Sequence, residues 1–364
     1  MTNTGIAHEL KDDGSIAMSQ AADIQGIQPM SVSNMLGKPA DDEVDPSTAT
    51  EYKSVLGAIA YAMMTQYHLL IYVVAAQRRS HNPQVIHCRR LNALLSHMKR
   101  FPRTLVYRSM VCSRSLVCHS DSGFTKEQDK GYGVRAANHL RKGVTATGQT
   151  VYHFTQAECR GHRRVTRSTF SSELQAAVDA ADELMSLQLC LSEMISGPLS
   201  ADAIRQQWDV QWTLDDIDYS SLPSSLRLFE TELVVDAKSV YSALAAIVCR
   251  EPAEKTCGVL LFWLRELIDL MLLRKFSWCD TRDLSCDGNT KGSIDRSALL
   301  NLMTKGLHSY AHPIETYCNR RVKDSKSTAT VSGSATEVHI VSSPNRTTPH
   351  QNESLGPTKS PIGW

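Results

Sequence analysis

Four carboxylates stand out by where they fall along the chain: Asp121, Glu173, Asp236 and Asp287. Asp121 closely follows the strand-like run Leu116-Val117-Cys118-His119, and Asp236 ends Leu233-Val234-Val235 in the same manner. Glu173 falls in the first turn of a long helical pattern. Asp287 comes past the last strand-like run, before Gly288 and a further helical stretch. In an open α/β sheet, chemistry gathers beyond the ends of central strands, so two strand-terminal aspartates can converge there. One acid from a helix start and one from a late loop then complete the group. A cluster of this kind suits phosphodiester hydrolysis, because two Mg²⁺ ions about 3.5–4 Å apart stabilise both the attacking and the leaving oxygen. Mg²⁺ is a hard ion that takes carboxylate and water ligands, so neither Cys nor His is required, and Mn²⁺ can substitute. Without metal the four acids repel one another and titrate as a coupled set. Taken singly, an Asp at a strand end is more often a turn or helix cap, and a Glu in a first helical turn is usually a macrodipole partner. It is the ordered set that points to a site.

These acids need a scaffold, and the pattern supplies one. From Thr50 to Lys99 the spacing is helical, with Tyr52, Val55, Leu56, Ile59, Ala60 and Met63 on one stripe. Asn82-Pro83 breaks the run, and a second helix follows from about Gln84 to Lys99. Its Arg89, Arg90, Lys99 and Arg100 form the most concentrated basic face in the chain, read as a solvated surface with a backbone-phosphate contact as the alternative. At Pro102 the texture changes to short strands, Thr104 to Tyr107, Ser115 to His119, Gly131 to Ala136 and Thr150 to Phe154, with turns at Gly143 and Gly148. A long helix, Ser171 to Glu193, has its apolar residues at the 3.6 period and Thr169 or Ser171 as N-cap. Residues 200–228 are less regular. A strand (Thr231 to Val235), a helix (Ser239 to Val248), an amphipathic helix (Ala253 to Arg274) and a last strand (Lys275 to Cys279) follow. Strand–helix–strand spacing of this length implies parallel pairing. Three meander strands followed by two parallel ones give a mixed five-stranded sheet with helices on both faces, preceded by a small helical segment.

The 39 Lys and Arg balance 38 Asp and Glu, for a formal charge of +1. The basic excess of a strong nucleic-acid binder is therefore missing, and any polyanion contact must come from local patches. The ten cysteines include no C-x-x-C pair and read as reduced thiols; Cys112 with Cys118 and Cys279 with Cys286 are the closest pairs. Met1 to Gly14 has no apolar signal core, and the most apolar run, Val259 to Leu273, contains Arg265, Glu266 and Asp269. The expectation is an intracellular protein with no membrane partner. Asn345-Arg346-Thr347 and Asn352-Glu353-Ser354 match the glycosylation pattern by chance.

Several segments resemble one family. Arg167-Ser168-Thr169-Phe170-Ser171-Ser172-Glu173-Leu174-Gln175-Ala176 is similar to the S-T-x-x-x-E segment of retroelement ribonuclease H domains. His119-Ser120-Asp121-Ser122 resembles their first strand end, and Val234-Val235-Asp236-Ala237-Lys238-Ser239 their third acidic motif. Leu284-Ser285-Cys286-Asp287-Gly288-Asn289-Thr290-Lys291 resembles the terminal L-A-D-x-x-T-K of copia-type retrotransposon Pol polyproteins. Upstream, Glu51-Tyr52-Lys53-Ser54-Val55-Leu56-Gly57 with Tyr61 is similar to the tyrosine-bearing helix after the reverse-transcriptase palm. Asp13-Gly14-Ser15-Ile16-Ala17-Met18-Ser19-Gln20 resembles the strand just before that helix.

The resemblance spans about residues 9–310 in the family's own order. It implies a ribonuclease H-like fold at 102–310, a thumb- or connection-like helical segment at 49–101, a linker remnant at 1–48 and a disordered tail at 311–364. The implied function is Mg²⁺-dependent cleavage of the RNA strand of an RNA–DNA hybrid, with Asp121, Glu173, Asp236 and Asp287 both catalytic and metal-ligating. Lys238 or Arg164 would touch phosphate if either is more than a surface charge. Other Pol polyprotein segments are the implied protein partners.

Departures from the pattern are specific. The polymerase Y-x-D-D motif is missing, Thr65-Gln66-Tyr67-His68 replaces T-R-P-D, and residues 131–164 match the family's middle strands poorly. Residues 200–228 look like an insertion, and no His lies in the short loop just before Asp287. The alternative is therefore a catalytically inactive remnant that serves as a nucleic-acid or protein-binding module. An integrase-like strand transferase is disfavoured, because its Glu comes last in the order of acids and Glu173 comes second.

Overall fold

The computed structural model describes residues 2–31, 33–123, 133–162, 166–198, 229–246, 252 and 254–318. The expected insertion at 200–228, Arg164, and the tail from residue 319 onward lie outside them.

A six-stranded mixed sheet organises the chain. Its strands are β5 (Cys112–Gly123), β6 (Val134–Val144), β7 (Thr150–Gly161), β8 (Glu230–Val235), β9 (Lys275–Trp278) and β10 (Glu315–Tyr317). They lie in the order β10-β9-β8-β5-β6-β7. The β5-β6-β7 meander is antiparallel, β8 and β9 run parallel to β5, and β10 returns antiparallel along β9. The sheet thus has one strand more than the five expected, because the chain turns back after the last predicted strand and covers the edge of β9. A second, small antiparallel sheet joins β1 (Thr2–Asn3), β2 (Ile6–Leu10), β3 (Ile16–Ser19) and β4 (Leu105–Tyr107). Residues 105–107, expected as a strand, pair with 16–18 in this sheet.

Alternation along the strands sends side chains to two different cores. Leu116 and Cys118 of β5, with Leu233 and Val235 of β8, pack on α5 (Thr169–Ser196) and on α6 (Lys238–Ala245) and α7 (Lys255–Asp269). Val117 and Val234, one position out of phase, pack on the opposite face. There they meet Cys286, Leu299, Leu302 and Met303, from the region of the short helix α8 (Asp287–Thr290) and of α9 (Ser297–Lys305). A third core fills the N-terminal helices: α1 (Ala21–Gly26), α2 (Pro46–Ala62), α3 (Leu70–Gln77) and α4 (Val85–Arg100).

α2 begins where sequence chemistry dictates: Asp45 accepts from the Thr48 N–H and Pro46 occupies the first helical position. α5 is capped one residue earlier than expected, by Ser168, whose hydroxyl accepts from the Ser171 N–H at 3.1 Å. Glu173 consequently stands in the second turn rather than the first. Cys88, Cys118, Cys159, Cys190, Cys257, Cys279, Cys286 and Cys318 are free thiols. Among the described residues, no helix is long and apolar enough to cross a membrane.

Candidate metal centre

The parallel register pairs Ser120 with Val235, so the next positions, Asp121 and Asp236, are neighbours at the same end of adjacent strands. Both share the parity of Val117 and Val234. Glu173 reaches the same point from α5, whose start is tied to β5 by a bond between the Ser172 and Ser122 hydroxyls. His162 locks this junction, with Nε2 2.8 Å from Ser122 Oγ and 3.1 Å from Ser172 Oγ. Carboxylate oxygens of Asp121, Glu173 and Asp236 all lie within 4.8 Å of one another.

Burial raises all three acids, and the charges of neighbouring carboxylates add to it. Asp121 is pushed up to about 7, first by desolvation and then by the charge of Asp236. Glu173 rises to about 9, through desolvation and the charges of Asp121 and Asp236. Desolvation also raises Asp236, against a 2.8 Å hydrogen bond donated by Thr281 Oγ1 and the charge of Lys291. Asp236 is further fixed through its main chain, where Trp278 Nε1 donates to its carbonyl at 2.8 Å.

The fourth acid stands apart from this trio. The Asp287 carboxylate is not within the same mutual span; Oδ1 is bonded to Lys291 Nζ, one helical turn on. Lys291 Nζ is in turn 3.9 Å from Asp121 Oδ2, so the ammonium links Asp287 to the trio. Desolvation presses on that ammonium, but Asp121 and Asp287 outweigh it and hold its pKa above the ordinary lysine range. Thr290 Oγ1 donates to Asp121 Oδ2 and tightens the same junction.

A buried polar chain positions the 285–291 segment. His119 Nδ1 lies 2.8 Å from Ser285 Oγ, Asn138 Nδ2 donates to that hydroxyl at 3.1 Å, and Asn289 Nδ2 donates to Asn138 Oδ1 at 3.0 Å. His119 Nε2 closes the far end on the Tyr310 hydroxyl at 2.8 Å. From the N-terminal helices, the Tyr72 hydroxyl donates to the Gly292 carbonyl at 2.6 Å.

No model of a known protein family matches the chain, and no curated protein matches it in sequence. The reading of the site therefore rests on its own chemistry.

Oxygens within 4.8 Å of one another need only small side-chain adjustments to share a cation that takes ligands at about 2.0–2.1 Å. Asp121 Oδ1 is buried and has no hydrogen-bond partner, a cost that a bound cation would remove. Both observations fit a divalent, oxygen-seeking ion held by Asp121, Glu173 and Asp236.

Two other sequence candidates are engaged elsewhere. Lys238 pairs with Glu315, 4.2 Å over the Trp278 ring. On the basic face of α4, Arg89 donates to the carbonyls of Met35 and Lys38 at 3.2 and 3.3 Å. Lys291, Thr290, Thr281 and His162 carry no role in the sequence reading. The first two adjoin Asp287 in the chain, but nothing in their spacing shows that they turn towards Asp121.

Proposed function

We propose that the chain is a ribonuclease H-type endonuclease that requires Mg²⁺ and cuts the RNA strand of RNA–DNA hybrids, as part of a copia-type retrotransposon Pol polyprotein. The observation that carries the reading is the meeting of Asp121, Glu173 and Asp236 within 4.8 Å at the ends of β5, β8 and near the start of α5. The strand order β7-β6-β5-β8-β9, three antiparallel then two parallel, supports a ribonuclease H-like fold.

In this reading Asp121, Glu173 and Asp236 hold the cation, and Asp236 is aimed by Thr281 and Trp278. A Mg²⁺ ion held by these three acids would supply Lewis acidity towards the phosphodiester and the attacking water. Glu173, brought beside Asp121 and Asp236 by the start of α5, is placed to help align the attacking water. Lys291, held beside Asp121, offers a positive charge to the scissile phosphate. A hybrid would be recognised by its A-like shape and 2′-hydroxyls rather than by sequence.

A second reading, a binding module without cleavage, draws on one observation: Asp287 is already neutralised by Lys291. One experiment separates the two. The full chain, incubated with a labelled RNA–DNA hybrid and Mg²⁺ or Mn²⁺, is expected to shorten the RNA strand, and Asp236→Asn to abolish cutting. Folded protein that retains the hybrid but cuts nothing with either ion would overturn the nuclease and leave the binding module.

A further inference from the structure

α5 carries a second chelating group. Ten residues beyond Glu173, about 15 Å along the helix axis, Glu183 meets His139 of β6 and Glu158 of β7. One ligand atom from each lies within 4.8 Å of the other two. We propose that His139, Glu158 and Glu183 form a metal site separate from the acid trio, taking a borderline divalent transition ion of the Zn²⁺ class in preference to Mg²⁺.

The donor set points to that class. One imidazole nitrogen with two carboxylates suits Zn²⁺ and its neighbours, whereas Mg²⁺ takes oxygen alone. His139 is fully buried, and its polar contacts lie on one side of the ring. Nε2 is 3.5 Å from Glu183 Oε2, while Nδ1 has no hydrogen-bond partner. Glu158 is also more than nine-tenths buried, and its Oε2 accepts no aligned hydrogen bond although Arg160 Nη2 is 2.9 Å away. The buried imidazole thus turns Nε2 towards Glu183, and the buried Glu158 carboxylate, with one oxygen lacking an aligned donor, shares the same 4.8 Å span. Four-coordinate Zn²⁺ sets its ligand atoms about 3.4 Å apart, so the two Glu side chains need move only by about an ångström. Cys118 Sγ, 3.9 Å from His139 Nε2, is not among the three groups whose ligand atoms share the span.

The electrostatics agree with the geometry. Desolvation and the neighbouring Glu183 push Glu158 up to about 8. Desolvation also presses Glu183 upward, but His139 and Glu158 outweigh it and leave it at about 2. The pair therefore shares a proton that a cation would displace. Arg160, half exposed, now touches both acids, with Nη1 3.5 Å from Glu183 Oε1. A metal-free network of Arg160 and His139 against the two carboxylates is the competing description. The two differ in what removal of Arg160 does.

The test uses the full chain carrying Glu173→Gln, which disables the acid trio. Co²⁺ serves as the spectroscopic probe and Zn²⁺ as competitor. The expected result is one Co²⁺ per chain with the visible absorption of a four- or five-coordinate site, bleached by Zn²⁺ but not by excess Mg²⁺. Glu183→Gln, a conservative change on a helix surface, should lower the affinity at least tenfold and abolish the Zn²⁺-induced rise in thermal midpoint. Arg160→Ala should tighten binding several-fold by removing the competing cation. The proposal is overturned if the folded protein shows no such spectrum or one that survives Glu183→Gln. It also fails if Arg160→Ala destabilises the protein without tightening binding, as a metal-free ion-pair network requires.

Discussion

Lys291 Nζ lies 3.9 Å from Asp121 Oδ2 while bonded to Asp287, so an ammonium from the chain itself partly neutralises the acid centre. Lys291→Met should leave Asp121 and Asp287 facing each other without a cation. Without metal, the loss should be about 1 kcal/mol, because the lysine is partly exposed and solvent screens it. Mg²⁺ should restore the midpoint. Thermal melts in EDTA and in Mg²⁺ measure both, and identical curves for variant and wild type would show the contact to be incidental.

Stability without metal should fall as pH rises. In the unfolded chain Asp and Glu ionise near pH 4, whereas folded Asp121 and Glu173 hold protons to about 7 and about 9. Between those limits the unfolded state binds fewer protons than the native state, so the slope is negative. The contribution is fully present below about pH 4 and is lost as pH passes the two folded values. Asp121→Asn should flatten the lower half of the window, and saturating Mg²⁺ most of it. A metal-free midpoint that climbs from pH 5 to 8 would contradict the burial of these acids.

Gly123 closes β5 directly against Thr290, where an added Cβ would stand 2.9 Å from the Thr290 carbonyl oxygen. Gly123→Ala must push that segment away and loosen the Thr290–Asp121 bond. A misplacement of this size should reduce hybrid cleavage by about 10²-fold while circular dichroism stays unchanged. Wild-type turnover in the variant would show that Thr290 does not position Asp121.

Asn138 bridges Ser285 and Asn289 in the polar chain beneath the Asp287 segment. Asn138→Leu strands two buried groups at a cost of about 1–3 kcal/mol each. Hydrogen exchange should accelerate across 285–291 and leave the β8 amides protected. Uniform acceleration over the whole sheet would instead mean a global loss of stability.

The trio was legible because each acid adjoins a strongly periodic element. The apolar run into Asp236 and the 3.6 repeat behind Glu173 fix two of the three supports, even though Ser168 rather than Thr169 or Ser171 caps α5. Residues 105–107 read as a strand, but their sequence does not say that they join β3, for a physical reason. Three extended apolar residues state that a strand exists but not which edge it meets. β10 was missed because Glu315-Thr316-Tyr317 has no alternation long enough to register. The His139–Glu158–Glu183 group draws on three elements with no common spacing, so only the tertiary arrangement reveals it. Asp287 was expected to join the trio directly. Its carboxylate is instead engaged by Lys291, whose side-chain direction no sequence pattern encodes.

The Tyr72–Gly292 bond ties positions 220 residues apart, and the Thr290–Asp121 bond spans 169. Contacts of such separation form late, after the intervening chain has paid its loop-closure entropy. A polypeptide emerging from the ribosome can build β5 to β7 and α5 long before residue 291 exists. Asp121, Glu173 and Asp236 can therefore meet before Thr290 and Lys291 close on Asp121, and the trio and its cationic partner are built in two separate steps.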